Sequence, residues 1–452
     1  MKKLKILAMV AFILLIGAAI VSCGSTTADT VEMADDDIAS DSAVAFTEEE
    51  ISCIRCHTDE TVGIVMDWDD SAHQKEGVSC VDCHQVDPDS PMALSGVEGH
   101  EDLTVAVSML VPPSVCGECH ESQVDEFIAS GHYKAHTQRI PKDSLTALVQ
   151  VHEAQGHEEF MTAPDETGCA QCHGTDLIVD ETGHPTPDSY PTAGIGNVYP
   201  NGEIGNCTVC HTRHKFEKAE ARKVDACGGC HIGPDHPDVE IFENSKHGQI
   251  YAAEGEEWTW DSPLNEWEPG DYRAPTCAVC HMAGIGDLQS THNVTQRLHW
   301  NLWAKESKVR TEGDINEVFY GDGEAGRAEM KQVCAECHTE THTEGFFASG
   351  DKAVMLYNEA YWYPVEEMRL ELAEAGLLKE NPWTDGFMIQ HYHIWHHDGR
   401  RARQGSLMGG PDWAHWHGFF MLQQKMYLAT EIYEMRMETG EIEEFAPWSL
   451  AP

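Results

Sequence analysis

Only one of the chain's 17 cysteines, Cys23, stands outside a repeated motif. Irregularly scattered thiols are missing, and with them the signature of a disulfide framework. Positive charge is scarce: 29 Lys plus Arg face 77 Asp plus Glu, for a formal charge of −48. That balance argues against nucleic acid or anionic lipid as a partner. It leaves an acidic, well-solvated surface, suited to a salty habitat or to a cationic redox partner. Beyond the first twenty residues no apolar run is long enough for a transmembrane helix. Aromatic residues make up 8% of the chain, a modest share for building a large core.

The N-terminus reads MKKLKILAMVAFILLIGAAIVSCGS, a basic start followed by the apolar run Ile6 to Ile20. This is a signal-peptide pattern, short for a membrane span. It ends at IVSC, which resembles a lipobox and would leave Cys23 as an acylated first residue; the alternative is a small-residue cleavage site with a chance Cys. Residues 24 to 50 are small and acidic and cannot bury a core. The expected product is exported, periplasmic or at the cell surface, with a signal peptide over 1–22 and an acidic disordered tether over 23–50 carrying the lipid anchor.

The other 16 cysteines form eight copies of Cys-x-x-Cys-His. They are Cys53, Cys56, His57; Cys80, Cys83, His84; Cys116, Cys119, His120; and Cys169, Cys172, His173. The remaining four are Cys207, Cys210, His211; Cys227, Cys230, His231; Cys277, Cys280, His281; and Cys334, Cys337, His338. This is the attachment signal of c-type haem. Two thiols three residues apart add to the two vinyl groups of one haem, and the imidazole that follows reaches its iron. Disulfides would not require a His after every second Cys. A zinc site would have to gather four ligands from two such groups. Eight covalent haems are expected, attached outside the cytoplasm. The porphyrins then supply much of the core. The expected fold is mostly α: short helices and loops around a stack of eight haems.

Of 27 histidines, 19 remain once the eight proximal ones are set aside. A second imidazole on the iron makes an electron carrier, whereas an open sixth position lets a haem react. The distal count therefore separates a wire from an enzyme. Three candidates share the pattern aromatic-x-x-Ser-x-His: His73 in WDDSAH, His132 in FIASGH and His247 in FENSKH. His214 lies three residues after a proximal ligand, and His100 and His292 are isolated in polar segments. The cluster HYHIWHHDGRR offers His391, His393, His396 and His397 on a helix, with His396 the chosen ligand. That makes seven ligands for eight irons, with His136, His152, His157 and His342 open as alternatives for the eighth.

With these motifs in place, the chain over residues 51 to 440 resembles the octahaem hydroxylamine oxidoreductase family. The likeness is carried by CHTRHKFEKAEARK followed by CGGCH, by GPDHP and SKHG, by APTCAVCHM with THN after it, and by GGPDWAHWHG. The resemblance implies a five-coordinate catalytic haem at the fourth motif, with His173 proximal. It also implies that the pocket pair Asp235 and His236, which follows the sixth motif, serves that fourth haem. A carboxylate–imidazole pair can relay protons near neutral pH; the alternative is a turn fixed by Pro234 and Pro237. Family members are trimers, and a redox partner or quinol-linked cytochrome would exchange electrons with the stack. The oxidising members join a tyrosine of a neighbouring subunit to the catalytic haem. Trp413 occupies the matching position here and lacks the phenolic oxygen; Tyr392 is the alternative if the register differs.

The expected divisions are an octahaem domain over 51–345 and a C-terminal helical domain over 346–452, with long helices at 352–379, 386–404 and 413–438. The favoured reading is reduction of nitrite or hydroxylamine to ammonia. Its competitors are oxidation of hydroxylamine or hydrazine in the same pocket, and a purely electron-transferring cytochrome.

Overall fold

The computed structural model describes residues 45–101, 103–138, 169–190, 193–233, 236–300, 305–307 and 323–443. Helices dominate, and the sheet amounts to the two-residue antiparallel pair Gln85–Val86 and Ala106–Val107. Among the described residues no helix is long and apolar enough to cross a membrane.

The first helix, Glu48–Glu60, starts on a capping box: Thr47 accepts from the Glu50 backbone N–H, and the Glu50 carboxylate reaches back to the Thr47 N–H. It therefore begins inside the stretch expected to be tether. From there to residue 300 the helices are mostly of one to three turns, and several are the Cys-x-x-Cys-His motifs themselves. The apolar contacts of this part are local. Met92, Leu177 and Tyr199 form one small cluster, and Trp260, Trp267, Tyr272, Val279, Ile285 and Val333 form a larger one around the later motifs.

The C-terminal part is a bundle of three long helical rods. The first runs from Glu340 to Glu374, the second from Gly386 to Leu407 and the third from Pro411 to Thr439. The apolar residues Tyr357, Val365, Leu372, Phe387, Ile394, Leu422 and Ile432 meet between them. The second and third rods lie close to their expected positions. The first starts twelve residues before the expected 352, because Thr339, just after the eighth motif, caps it by accepting from the His342 N–H. It also ends before 379, where Gly376 takes φ +72° and the Gly376 and Leu377 N–H groups close the last turn. The boundary expected at 345/346 thus falls inside a helix, and Phe46–Pro452 form one compact unit. Each rod contains a π-helical turn, at Asn358–Trp362, His393–His397 and His415–Phe420.

Candidate functional site

The motifs fold as their spacing requires. Cys80–His84, Cys169–His173 and Cys277–His281 are single helical turns, and the first motif lies within Glu48–Glu60. In a helix, positions i, i+3 and i+4 share one face, so both thiols and the imidazole address one body. Burial pushes the Cys80 and Cys83 thiols up to about 11. Among the described residues no group of three or more His, Cys, Asp or Glu is gathered to hold a bare metal ion.

The pattern aromatic-x-x-Ser-x-His also has a structural basis. The serine N–H donates to the aromatic residue's carbonyl in all three copies: Ser71 to Trp68 at 3.0 Å, Ser130 to Phe127 at 2.9 Å and Ser245 to Phe242 at 2.9 Å. Ser71 and Ser245 then cap new helices by accepting from the Gln74 and Gly248 N–H groups. Each histidine sits in the first turn after its serine, so a cap of four or five residues fixes where the imidazole starts.

Six imidazoles foreseen as distal ligands face six proximal ones. The pairs are His57 with His100, His120 with His73, His84 with His214, His231 with His132, His211 with His292 and His338 with His247. Their ring centres are 6.1 to 6.4 Å apart. A metal–imidazole bond is about 2 Å, and a ring centre lies about 1 Å behind its nitrogen, so two imidazoles on one iron have centres about 6 Å apart. The six gaps therefore fit one iron each. Burial, reinforced by the facing imidazole, takes His132 down to about 3 and His211 down to about 4. Both are neutral, as ligands must be.

The Nδ1 atoms of several proximal rings are held from behind. His84 donates to Ser108 O at 2.7 Å, His173 to Ala135 O at 3.1 Å and His231 to Asp238 Oδ2 at 2.7 Å, while His57 Nδ1 lies 2.8 Å from Thr61 Oγ1. These contacts orient each ring and leave Nε2 for the metal. Asp238, the residue directly after the GPDHP segment, was not anticipated, because no local spacing ties it to His231.

The attachment thiols show how the motifs follow one another. Cys116 lies beside Cys207, Cys227 beside Cys277 and Cys230 beside Cys172. Cys80 lies within electrostatic reach of Cys53, Cys83 of Cys116, Cys210 of Cys227 and Cys280 of Cys334. The motifs thus run first, second, third, fifth, sixth, seventh, eighth, and the fourth joins as a side branch at the sixth. That branch is tightly built. Gly174 has φ +95°, and a Cβ on Gly196 would lie 2.7 Å from both His136 N and His173 O.

Of the pocket pair, Asp235 lies outside the described residues, as do His152, His157 and Cys23; the Cys169 side chain is likewise not described. His236 comes within 6.3 Å of the His231 ring. His396, expected as a seventh distal ligand, is brought electrostatically against His236, Arg400 and His397, with its ring stacked 4.5 Å from Tyr392. The π-helical turn His393–His397 thus comes within electrostatic reach of the sixth motif's pocket residue, which no linear spacing signals. His391 is directed to Glu366 at 2.8 Å, His136 to Asp176 at 3.3 Å, and His342 stacks 4.4 Å from His338. Trp413 stacks on His417 at 4.6 Å, with the Arg401 guanidinium 5.9 Å above it.

Comparison with known proteins agrees with this geometry. A family described as seven times multi-haem cytochrome CxxCH matches residues 201–379. A Kuenenia stuttgartiensis relative named "Probable nitrite reductase-hydroxylamine oxidoreductase fusion protein" is 27% identical over 378 residues. The match covers 73% of this chain but 38% of that relative's length. A solved chain described as a hypothetical multihaem protein is similar with a TM-score of 0.70 at 23% identity, covering 87% of this chain and 96% of that one. A chain of the Kuenenia stuttgartiensis reducing HAO-like complex is similar with a TM-score of 0.62 at 21% identity, covering 87% and 86%. The chain is thus similar to multihaem c-type cytochromes, hydroxylamine-oxidoreductase-like ones among them, and shares their mostly α fold.

Proposed function

We propose that this protein is an exported octahaem oxidoreductase, tethered by lipid at Cys23, that reduces nitrite or hydroxylamine to ammonia at the haem of Cys169, Cys172 and His173. The observation that carries the reading is the branch. One motif hangs off the line of seven at the sixth, the motif whose His231 lies beside His236. A haem held there by Cys169, Cys172 and His173 would supply redox chemistry on a small nitrogenous ligand. The chain supplies the rest. Ala135 O fixes the His173 ring, and the His236 imidazole delivers protons as electrons arrive through the sixth motif. Asp235, the other half of the pair, would share in proton delivery and in orienting the substrate.

The reductive direction rests on Trp413, whose indole cannot make a phenolic ether to porphyrin. Support for a homotrimer comes from exposed apolar residues on the outer rods: Leu356, Tyr363 and Leu370 on the first, and Trp416, Phe420 and Tyr427 on the third. A cationic or quinol-linked cytochrome suits the acidic surface as electron donor.

Purified protein supplied with a strong chemical reductant should turn nitrite or hydroxylamine into ammonium. Fast acceptor-dependent oxidation of hydroxylamine with negligible ammonium would overturn the direction. His236→Ala should keep every haem yet slow turnover about 10²–10⁴-fold. Only low-spin iron in the paramagnetic resonance spectrum would leave an electron wire instead.

A further inference from the structure

His231 of the sixth motif and Asp238 stand at the two ends of the segment HIGPDHPD. The Val239 N–H donates to His231 O at 3.1 Å, the Asp238 N–H to His236 O at 2.8 Å, and the Gly233 N–H to Glu240 Oε1 at 3.2 Å. Asp238 opens the helix Asp238–Asn244, so its backbone is fixed. Its carboxylate lies 2.7 Å from His231 Nδ1. Other proximal rings are held by weaker acceptors: backbone carbonyls behind His84 and His173, and a hydroxyl beside His57. His281 Nδ1 is buried with no hydrogen-bond partner among the described residues.

The motif so treated is also the junction. Its thiols touch those of the fourth motif through Cys230 and Cys172 and of the seventh through Cys227 and Cys277, and Cys210 of the fifth is close by.

We propose that Asp238 lowers the reduction potential of the iron held by His231, making the junction haem the electron-rich donor to the fourth. A carboxylate draws the Nδ1 proton further than a carbonyl or hydroxyl does. The ring gains imidazolate character, Nε2 donates more strongly, and ferric iron is favoured over ferrous. A junction that gives up its electron readily drives reduction on the branch. That consequence rests on the proposed function, whereas the tuning does not. Asp238 is a positioning residue acting through His231.

The test is a spectroelectrochemical titration of the full-length holoprotein and its Asp238→Asn variant, followed by paramagnetic resonance. One low-spin centre should shift toward the ferrous form by at least tenfold in its ferrous-to-ferric ratio at fixed potential, or about 59 mV for a one-electron couple. Asp238→Glu should restore most of that shift. Unchanged potentials in Asp238→Asn overturn the proposal. If that variant loses a haem, the unmodified protein decides. One of its low-spin ferric signals should show the narrowed spread of g values that imidazolate ligation produces, and a set lacking such a member overturns the proposal. If the unmodified protein turns over neither nitrite nor hydroxylamine while the shift is found, the proposed function falls and the tuning stands.

Discussion

His247 and His338 face each other with ring centres 6.1 Å apart, although the whole seventh motif lies between them in sequence. The cap at Ser245 sets one ring and the helical turn of the eighth motif sets the other. His247→Ala should leave both thioethers at Cys334 and Cys337 intact and remove the sixth ligand. Paramagnetic resonance should then show one more high-spin haem at unchanged haem content, reversed by added imidazole. A spectrum identical to the parent's would show that His247 does not bind iron.

Backbone closeness around the fourth motif gives a steric test. An added Cβ at Gly196 meets two backbone atoms at 2.7 Å, whereas one at Gly63 meets nothing within 4 Å. Gly196→Ala should disturb the haem of Cys169 and Cys172, seen as loss of one haem by mass or as a changed high-spin signal. Gly63→Ala, in the helix Val62–Asp69, should be neutral or slightly stabilising. Equal behaviour of the two would mean that the fourth motif tolerates displacement.

Arg436 joins Asp385 at 3.0 Å with both side chains fully buried, and it also donates to Leu377 O. Asp385 in turn caps the second rod by accepting from the Phe387 and Met388 N–H groups. Arg436→Met strands a buried carboxylate and should cost about 3–5 kcal/mol in chemical denaturation. The double variant with Asp385→Asn should be milder. A loss below about 1 kcal/mol would place the pair among ion contacts of surface strength.

The bundle should also weaken in acid. Glu366 binds both Arg369 nitrogens, at 2.8 and 2.7 Å, and His391 Nε2 at 2.8 Å. Although burial opposes it, these partners hold Glu366 down to about 2, from an ordinary value of 4.5. Burial takes His391 down to about 4 from 6.5, against the pull of Glu366. Both groups bind protons more weakly in the folded state. Stability is therefore lost as pH falls from 6.5 towards 4 through His391, and from 4.5 towards 2 through Glu366. The thermal midpoint of the far-ultraviolet dichroism should drop over the first window, and His391→Gln should flatten the drop. An unaltered slope in that variant would remove His391 from the account.

The attachment motifs and the imidazoles of His73, His132 and His247 were legible because each is encoded locally, by a three-residue thiol spacing or a serine turn, whereas His100, His214 and His292 stood out only as isolated histidines or by closeness to a motif. Which imidazole meets which was not legible. His73 precedes its partner His120 while His292 follows His211, and no constant offset relates the pairs. They are set by how motifs stack, which is a property of the whole chain. The same limit hid the closeness of His396 to His236 and the carboxylate of Asp238 behind His231. The three rods were visible as apolar spacing near 3.6, but that spacing cannot register one extra residue in a turn, so the π-helical segments went unseen.

Those segments make the C-terminal rods unevenly sensitive to length. A π-helical turn spends one residue more than an α-helical turn, and each residue of helix advances the azimuth by about 100°. A single deletion within His393–His397 is absorbed as the π turn relaxes to a regular α turn, whereas one in the α-helical stretch Asp398–Leu407 has no such slack and swings everything on one side of it by that angle. Arg400 and Arg403, now buried, would rotate towards water, or His396 would swing away from His236. Substitutions along this rod are local changes, whereas a one-residue deletion in its α-helical stretch acts as a rotation of the wall that faces the pocket.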